Sequence, residues 1–233
     1  MKMIQFFIRA SLTLLILVFG ISVGYNLCGS QNSAQVSQNS PKPIIDQTYS
    51  NKDIGFEFSY PSYLQSREEE GKYNEGNAAK IILSHSIPYK NYGTCDMAPS
   101  AVLLNNLVDF NAVFSLYDKS VAETVKTISP YMPEENFTSS TLKASPGFID
   151  EYSVGAYKGF AIYEGAEGCG HVIYYFPIKS DLTLVITKDF VQALSGISTL
   201  YDIPKILNIP GAISREKSDE ILKKIIESLK ILR

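Results

Sequence analysis

The 233-residue chain has no tryptophan, two histidines and three cysteines. Two histidines, His85 and His171, are too few for a zinc or transition-metal centre, which draws three or four His, Cys or acid ligands from close groups. Cys169-Gly170-His171 is the nearest approach to such a group, and no second cluster supports it. A basic run is also missing: 21 Lys and Arg stand against 24 Asp and Glu, interspersed, for a net charge of −3. Without a basic footprint, nucleic acid is excluded as a partner. The acidic run Glu68-Glu69-Glu70 lacks calcium-loop spacing and reads as a solvated loop. Gly165 to Gly170, GAEGCG, lacks the following helix that a phosphate-binding glycine loop requires. The VIYYF that comes next is strand-like, so these glycines suit a tight hairpin instead. Nothing in the residue pattern calls for a metal or cofactor.

Charge is absent from Ala10 to Cys28, ASLTLLILVFGISVGYNLC. Lys2 and Arg9 precede this run, and the next basic residue is Lys42. Its length approaches the roughly 20 apolar residues that span a bilayer. The charge asymmetry places the N-terminus in the cytoplasm and the rest outside. Asn32-Ser33-Ala34 is a poor cleavage site, and Tyr25-Asn26-Leu27 is too bulky for a lipoprotein signal at Cys28. Residues 1–28 therefore read as an uncleaved signal anchor, a single transmembrane helix in the cell membrane. A cleaved signal and a lipoprotein are the alternatives. Residues 29–43, rich in Ser, Gln and Asn, read as a flexible tether with an r.m.s. span of about 20 Å. Residues 44–233 then form one extracytoplasmic domain of ordinary size.

With 15 Tyr and 12 Phe, that domain should be rich in strand. In IGFEFSY, Ile54, Phe56, Phe58 and Tyr60 alternate with small or charged residues, the pattern of a half-buried strand ended by Pro61. Further strands are expected over 80–86, 101–110, 112–117, 137–142, 148–154, 159–164, 171–178 and 182–188. Short, Gly/Pro/Asn/Asp-containing separations predict a largely antiparallel sheet. Ser120 to Glu123 is a capping box, and Pro130 stops the helix it opens at Ser129. A second helix begins near Ser214, with Ile221, Leu222, Ile225, Ile226, Leu229 and Leu232 as its apolar stripe. Asp219/Lys223 and Glu220/Lys224 are spaced to pair on its exposed face.

The remaining residue types with chemical potential are few. Cys95 or Cys169 with His85 or His171 could form a thiol nucleophile and its base. An oxidising compartment favours joining Cys95 to Cys169, leaving Cys28 at the membrane boundary. Residues 190–213 form a long apolar connection in which Pro204 and Pro210 forbid one continuous helix. Leu200, Tyr201, Ile203 and Ile206 are its candidates for an exposed partner surface.

GFEFSYPSYL near the start of the domain, antiparallel strands in the middle and the final SREKSDEILKKIIESLKIL helix resemble the PsbP-like fold. That superfamily is named after an extrinsic photosystem II subunit and includes small exported bacterial proteins. The resemblance implies an α+β fold, an α/β/α sandwich with a central antiparallel sheet, and a binding or assembly module rather than an enzyme. No ligand set of that family can be placed on this chain. The function expected is thus a membrane-tethered extracytoplasmic module for an envelope protein or cell-wall component. The alternatives are a thiol-dependent enzyme and a small-ligand binder.

A Cys95–Cys169 disulfide would close a loop of roughly 75 residues, worth about 4 kcal/mol in the chain-entropy model. Mass spectrometry of unreduced tryptic peptides should recover the joined pair. Two alkylatable thiols in the folded domain would disprove it.

Overall fold

The computed structural model describes residues 46–71, 79–91, 103–166, 169–190 and 203–232, without the side chains of Ala166 and Cys169. The chain divides into two compact units, Met1–Pro43 and Ile44–Arg233. The expected anchor and tether lie outside the described residues, among which no helix is long and apolar enough to cross a membrane.

Among the described residues ten strands form two antiparallel sheets. The smaller pairs β1 (Asp46–Asn51), β2 (Phe56–Pro61) and β10 (Lys230–Ile231), with β2 central. The larger contains β3 (Gln65–Glu69), β4 (Lys80–Asn91), β5 (Leu104–Tyr117), β6 (Ile149–Val154), β7 (Tyr157–Ala166), β8 (Cys169–Lys179) and β9 (Leu182–Asp189). Its order is β3-β4-β5-β9-β8-β7-β6. Two meanders, β3 to β5 and β6 to β9, thus meet where β5 pairs with β9 over Ala112–Tyr117 and Thr183–Lys188.

One face of the large sheet is covered by the small sheet together with α3 (Arg215–Ser228). The alternation of β2 explains the fit, since Phe56, Phe58 and Tyr60 all point inward and are buried. Phe58 stacks on Phe114 of β5 at 5.1 Å, with Tyr49 at 5.2 Å on its other side. Ile221, Leu222, Ile225 and Ile226 of α3 bury beside them. The Ser228 hydroxyl of α3 accepts from the Ser59 N–H at 2.9 Å, tying the helix end to β2. On the opposite face, α1 (Val121–Ile128) lays Val121, Ala122 and Val125 over Ile173, Tyr175 and Val185. Ser120 and Glu123 close a capping box at its start.

The expected α/β/α sandwich is not formed. Among the described residues strand exceeds helix, 53% to 20%, and one cover is itself half sheet. The other is an eight-residue helix followed by a 3-10 turn, Glu134–Asn136. The physical reason lies in β1, β2 and β10: a strand with an aromatic inner face buries as much apolar surface as a helix would. Local expectations change too. Residues 101–110 and 112–117 belong to one strand, β5, from Leu104 onward, whereas 137–142 makes only an isolated bridge between Phe137 and Leu142. Glu68 and Glu69 are not in a loop but in the charged edge strand β3, where Glu69 meets Arg67 at 2.7 Å. Charged side chains on an edge discourage pairing with other chains. Asp219 pairs with Lys188 of β9 at 3.1 Å rather than with Lys223, while Lys224 meets Glu220 at 2.7 Å.

Phe58→Ala should lower stability by about 3–5 kcal/mol in urea denaturation, since it empties the contact between the two sheets. Val108→Ala on exposed β5 should change it by less than about 0.5 kcal/mol.

Candidate functional site

Strand register lines up the side chains on the α1 face in rows that run across the sheet. Beneath α1, Ser115, Val185 and Tyr175 are buried. One pleat further, Ile82, Val113, Thr187, Ile173 and Ile162 form a mostly apolar row that is half-buried over its first three members. The next row is polar throughout. Ser84 of β4 faces Asn111 of β5, His171 of β8 faces Asp189 of β9, and Glu164 of β7 faces His171. The Asn111 amide closes the row by donating to Asp189 Oδ2 at 2.6 Å. All five residues are half-buried. Neighbouring strands lie about 4.8 Å apart, so the row extends about 19 Å.

Its Glu164 end is the most densely connected corner. Glu164 Oε1 accepts from the Ser129 hydroxyl, and Oε2 lies 3.2 Å from His171 Nε2. Ser129 is fully buried and ends α1, its N–H donating to Val125 at 2.7 Å. Helix termination at Pro130 therefore delivers this hydroxyl to the sheet. Tyr131 follows, 66% exposed, with its phenol near Glu164. Partial burial and the neighbouring Glu164 carboxylate both raise the Tyr131 pKa. Tyr175 is fully buried, and burial pushes its phenol well above the usual range. Its hydroxyl lies near Ser129 and has no hydrogen-bond partner among the described residues.

The chemistry of this corner follows from the order of contacts. In a hydrolytic triad the imidazole stands between serine and carboxylate. Here the carboxylate stands between serine and imidazole, so Glu164 fixes both partners and His171 does not address Ser129. The close strand approach rests on Gly170, whose φ is 130°; a Cβ there would lie 2.0 Å from the Glu164 carbonyl oxygen. The glycines thus serve a hairpin, with β8 following as strand.

The second histidine lies on the opposite face. Between His85 and Ser86 the β4–β5 register shifts, leaving Asp109 as the extra residue of a bulge. Bulges re-aim side chains, and this one brings Asp109 to His85, with 2.6 Å between Nδ1 and Oδ1. Asp109 is fully buried, and its Oδ2 accepts the Ile213 N–H at 2.8 Å. The carboxylate thereby ties the sheet to the segment leading into α3. Tyr63 closes over His85 edge-on at 5.7 Å.

Of the residues expected from the sequence, Cys28, Cys95, Leu200 and Tyr201 lie outside the described residues, as does the side chain of Cys169. The Cys169 backbone pairs with Ala166 at the end of the β7–β8 hairpin, two residues from His171. Ile203 and Ile206 belong to the short helix α2 (Ile203–Leu207). Ile203 is half-buried, whereas Ile206 is fully buried against Ile87 and Leu107. Among the described residues no three His, Cys, Asp or Glu side chains group to hold a metal. Sequence reading missed Ser84, Asn111, Asp109, Ser129, Glu164 and Asp189. The Ala166–Cys169 register of the β7–β8 hairpin is what sets Glu164 opposite His171.

No protein-family model and no curated protein matches the chain. Among solved structures, a protein from Bacteroides thetaiotaomicron VPI-5482 aligns with 9% identity and a TM-score of 0.35. The alignment covers 80% of this chain and 48% of that one.

Asp109→Ala should cost about 3–5 kcal/mol, because it strands His85 and a buried backbone N–H together. Asp189→Ala, at a half-buried position, should cost much less. Urea midpoints of the two variants decide this; equal losses would mean that Asp109 is not a tie between elements.

Proposed function

We propose that the domain is a membrane-tethered extracytoplasmic binding module, and that the row Ser84–Asn111–Asp189–His171–Glu164 is its ligand-binding surface. The observation that carries this reading is the register: five strands present hydrogen-bonding side chains in one continuous, half-open line. Binding surfaces combine an apolar floor with a few placed polar groups. Ile82, Val113 and Thr187 supply that floor beside the row. The Ser129–Glu164–His171 chain holds its end rigid, a preorganisation that lowers the entropy cost of binding. The uncharged run from Ala10 to Cys28 supports the tether and the compartment.

A second reading, thiol-dependent catalysis by Cys95 or Cys169, draws on His85. A buried carboxylate orienting one imidazole nitrogen is the base-and-orienter half of such a site. Its mark would be rapid iodoacetamide labelling of one cysteine in the folded protein, slowed in a His85→Ala variant.

The binding reading is tested by exchanging Tyr131 or Tyr163 for a benzophenone amino acid in the full chain and irradiating native membranes. Tyr131 stands at the end of the row, and Tyr163, 48% exposed, points to the opposite face. An adduct is expected from position 131 and none from position 163. The reverse pattern, or no adduct from either, would overturn the assignment of this surface.

A further inference from the structure

The polar row is selective in what it leaves free. No Lys or Arg belongs to it. Lys188, next to Asp189, points to the other face and binds Asp219, while Lys80 of β4 lies 3.6 Å from Glu69 and Arg67, opposite Ile82 on the edge strand, meets Glu69 at 2.7 Å. A phosphate or carboxylate ligand would therefore meet Asp189 and Glu164 with no cation to receive it, and like charges at this range repel. A cation would be drawn to the two carboxylates but would find only Asp189 Oδ1 unengaged. Glu164 uses one oxygen for Ser129 and the other for His171, and Asp189 Oδ2 holds the Asn111 amide.

What remains along the line is an alternation of single groups. The Ser84 hydroxyl, the Asn111 carbonyl oxygen, Asp189 Oδ1 and His171 Nδ1 carry no hydrogen bond among the described residues. Such a mixture matches a ligand whose own groups both donate and accept, as hydroxyls do. Tyr131 adds an exposed ring at the Glu164 end, an apolar face on which the C–H side of a sugar can rest. The strand spacing of about 4.8 Å is close to the rise of one sugar unit in an extended β-linked glycan.

From these observations, and resting on the row being the binding surface, we infer that the ligand is a neutral glycan strand lying across β4, β5, β9, β8 and β7. The polyhydroxyl chain meets one polar side chain per strand and ends against Tyr131.

The test uses the full chain in a detergent without a sugar headgroup, titrated with chitotetraose and cellotetraose, and with spermine and tripolyphosphate as charged probes. With no Trp and 15 Tyr in the chain, tyrosine fluorescence and calorimetry are suitable readouts. At least one neutral tetrasaccharide should bind saturably, and the charged probes should bind more weakly. Asn111→Ala should weaken binding by about three- to tenfold, the value of one hydrogen bond. Tyr131→Ala changes an exposed side chain and should weaken it without disturbing the fold, whereas Tyr163→Ala should leave it unchanged. Stronger binding of spermine or tripolyphosphate would overturn the inference, and so would glycan binding that ignores both Asn111 and Tyr131. If neither tetrasaccharide binds while position 131 still crosslinks in membranes, the ligand class falls and the binding surface stands. If crosslinking fails as well, both fall.

Discussion

Pairing of β5 with β9 is the constraint on which the rest of the domain depends. It is the one seam between two meanders that could each fold locally, and it joins residues some 70 positions apart in the chain. Shifting it by one residue would turn every side chain of β5 to the wrong face. Phe114 would lose Phe58 on one side, and Asn111 would lose Asp189 on the other. Sheet-to-sheet packing and the polar row thus share one register, so the surface cannot be rearranged without disturbing the core.

The two histidines illustrate how differently one sheet can use the same residue. His85 is clamped by a fully buried aspartate whose second oxygen holds the backbone ahead of α3. Removing either partner strands a buried polar group, the costly side of hydrogen-bond energetics. His171, half-buried, meets Glu164 on the α1 face where the apolar floor gives way to polar residues. One of its ring nitrogens carries no hydrogen bond among the described residues. The first histidine serves cohesion, and the second has capacity left for something outside the chain.

Helix α1 links these roles. Its capping box fixes where it starts, and Pro130 fixes where it stops, so its last buried residue, Ser129, arrives over Glu164. The same short length leaves the far part of the sheet face without a helical cover from α1. A longer helix, as an α/β/α sandwich would have, would pass over the polar row and bury it.

Much of this was legible locally. The Ser120 capping box, the Ile221, Leu222, Ile225 and Ile226 part of the α3 stripe and the alternation of Phe56, Phe58 and Tyr60 each follow from contacts within a few residues, and the sequence by itself determined them. Leu229 and Leu232, expected in the same stripe, fall beyond the helix end at Ser228. The edge and closing strands β1, β3 and β10 were not legible, because short, polar or charged segments become strands only when a neighbour offers its hydrogen bonds. Asp109 reaches His85 through a bulge, and Asn111 reaches Asp189 through pairing across the whole second meander. Only the tertiary structure could decide those contacts, since period-two patterning tells which face a side chain takes and is silent about which distant strand will lie beside it.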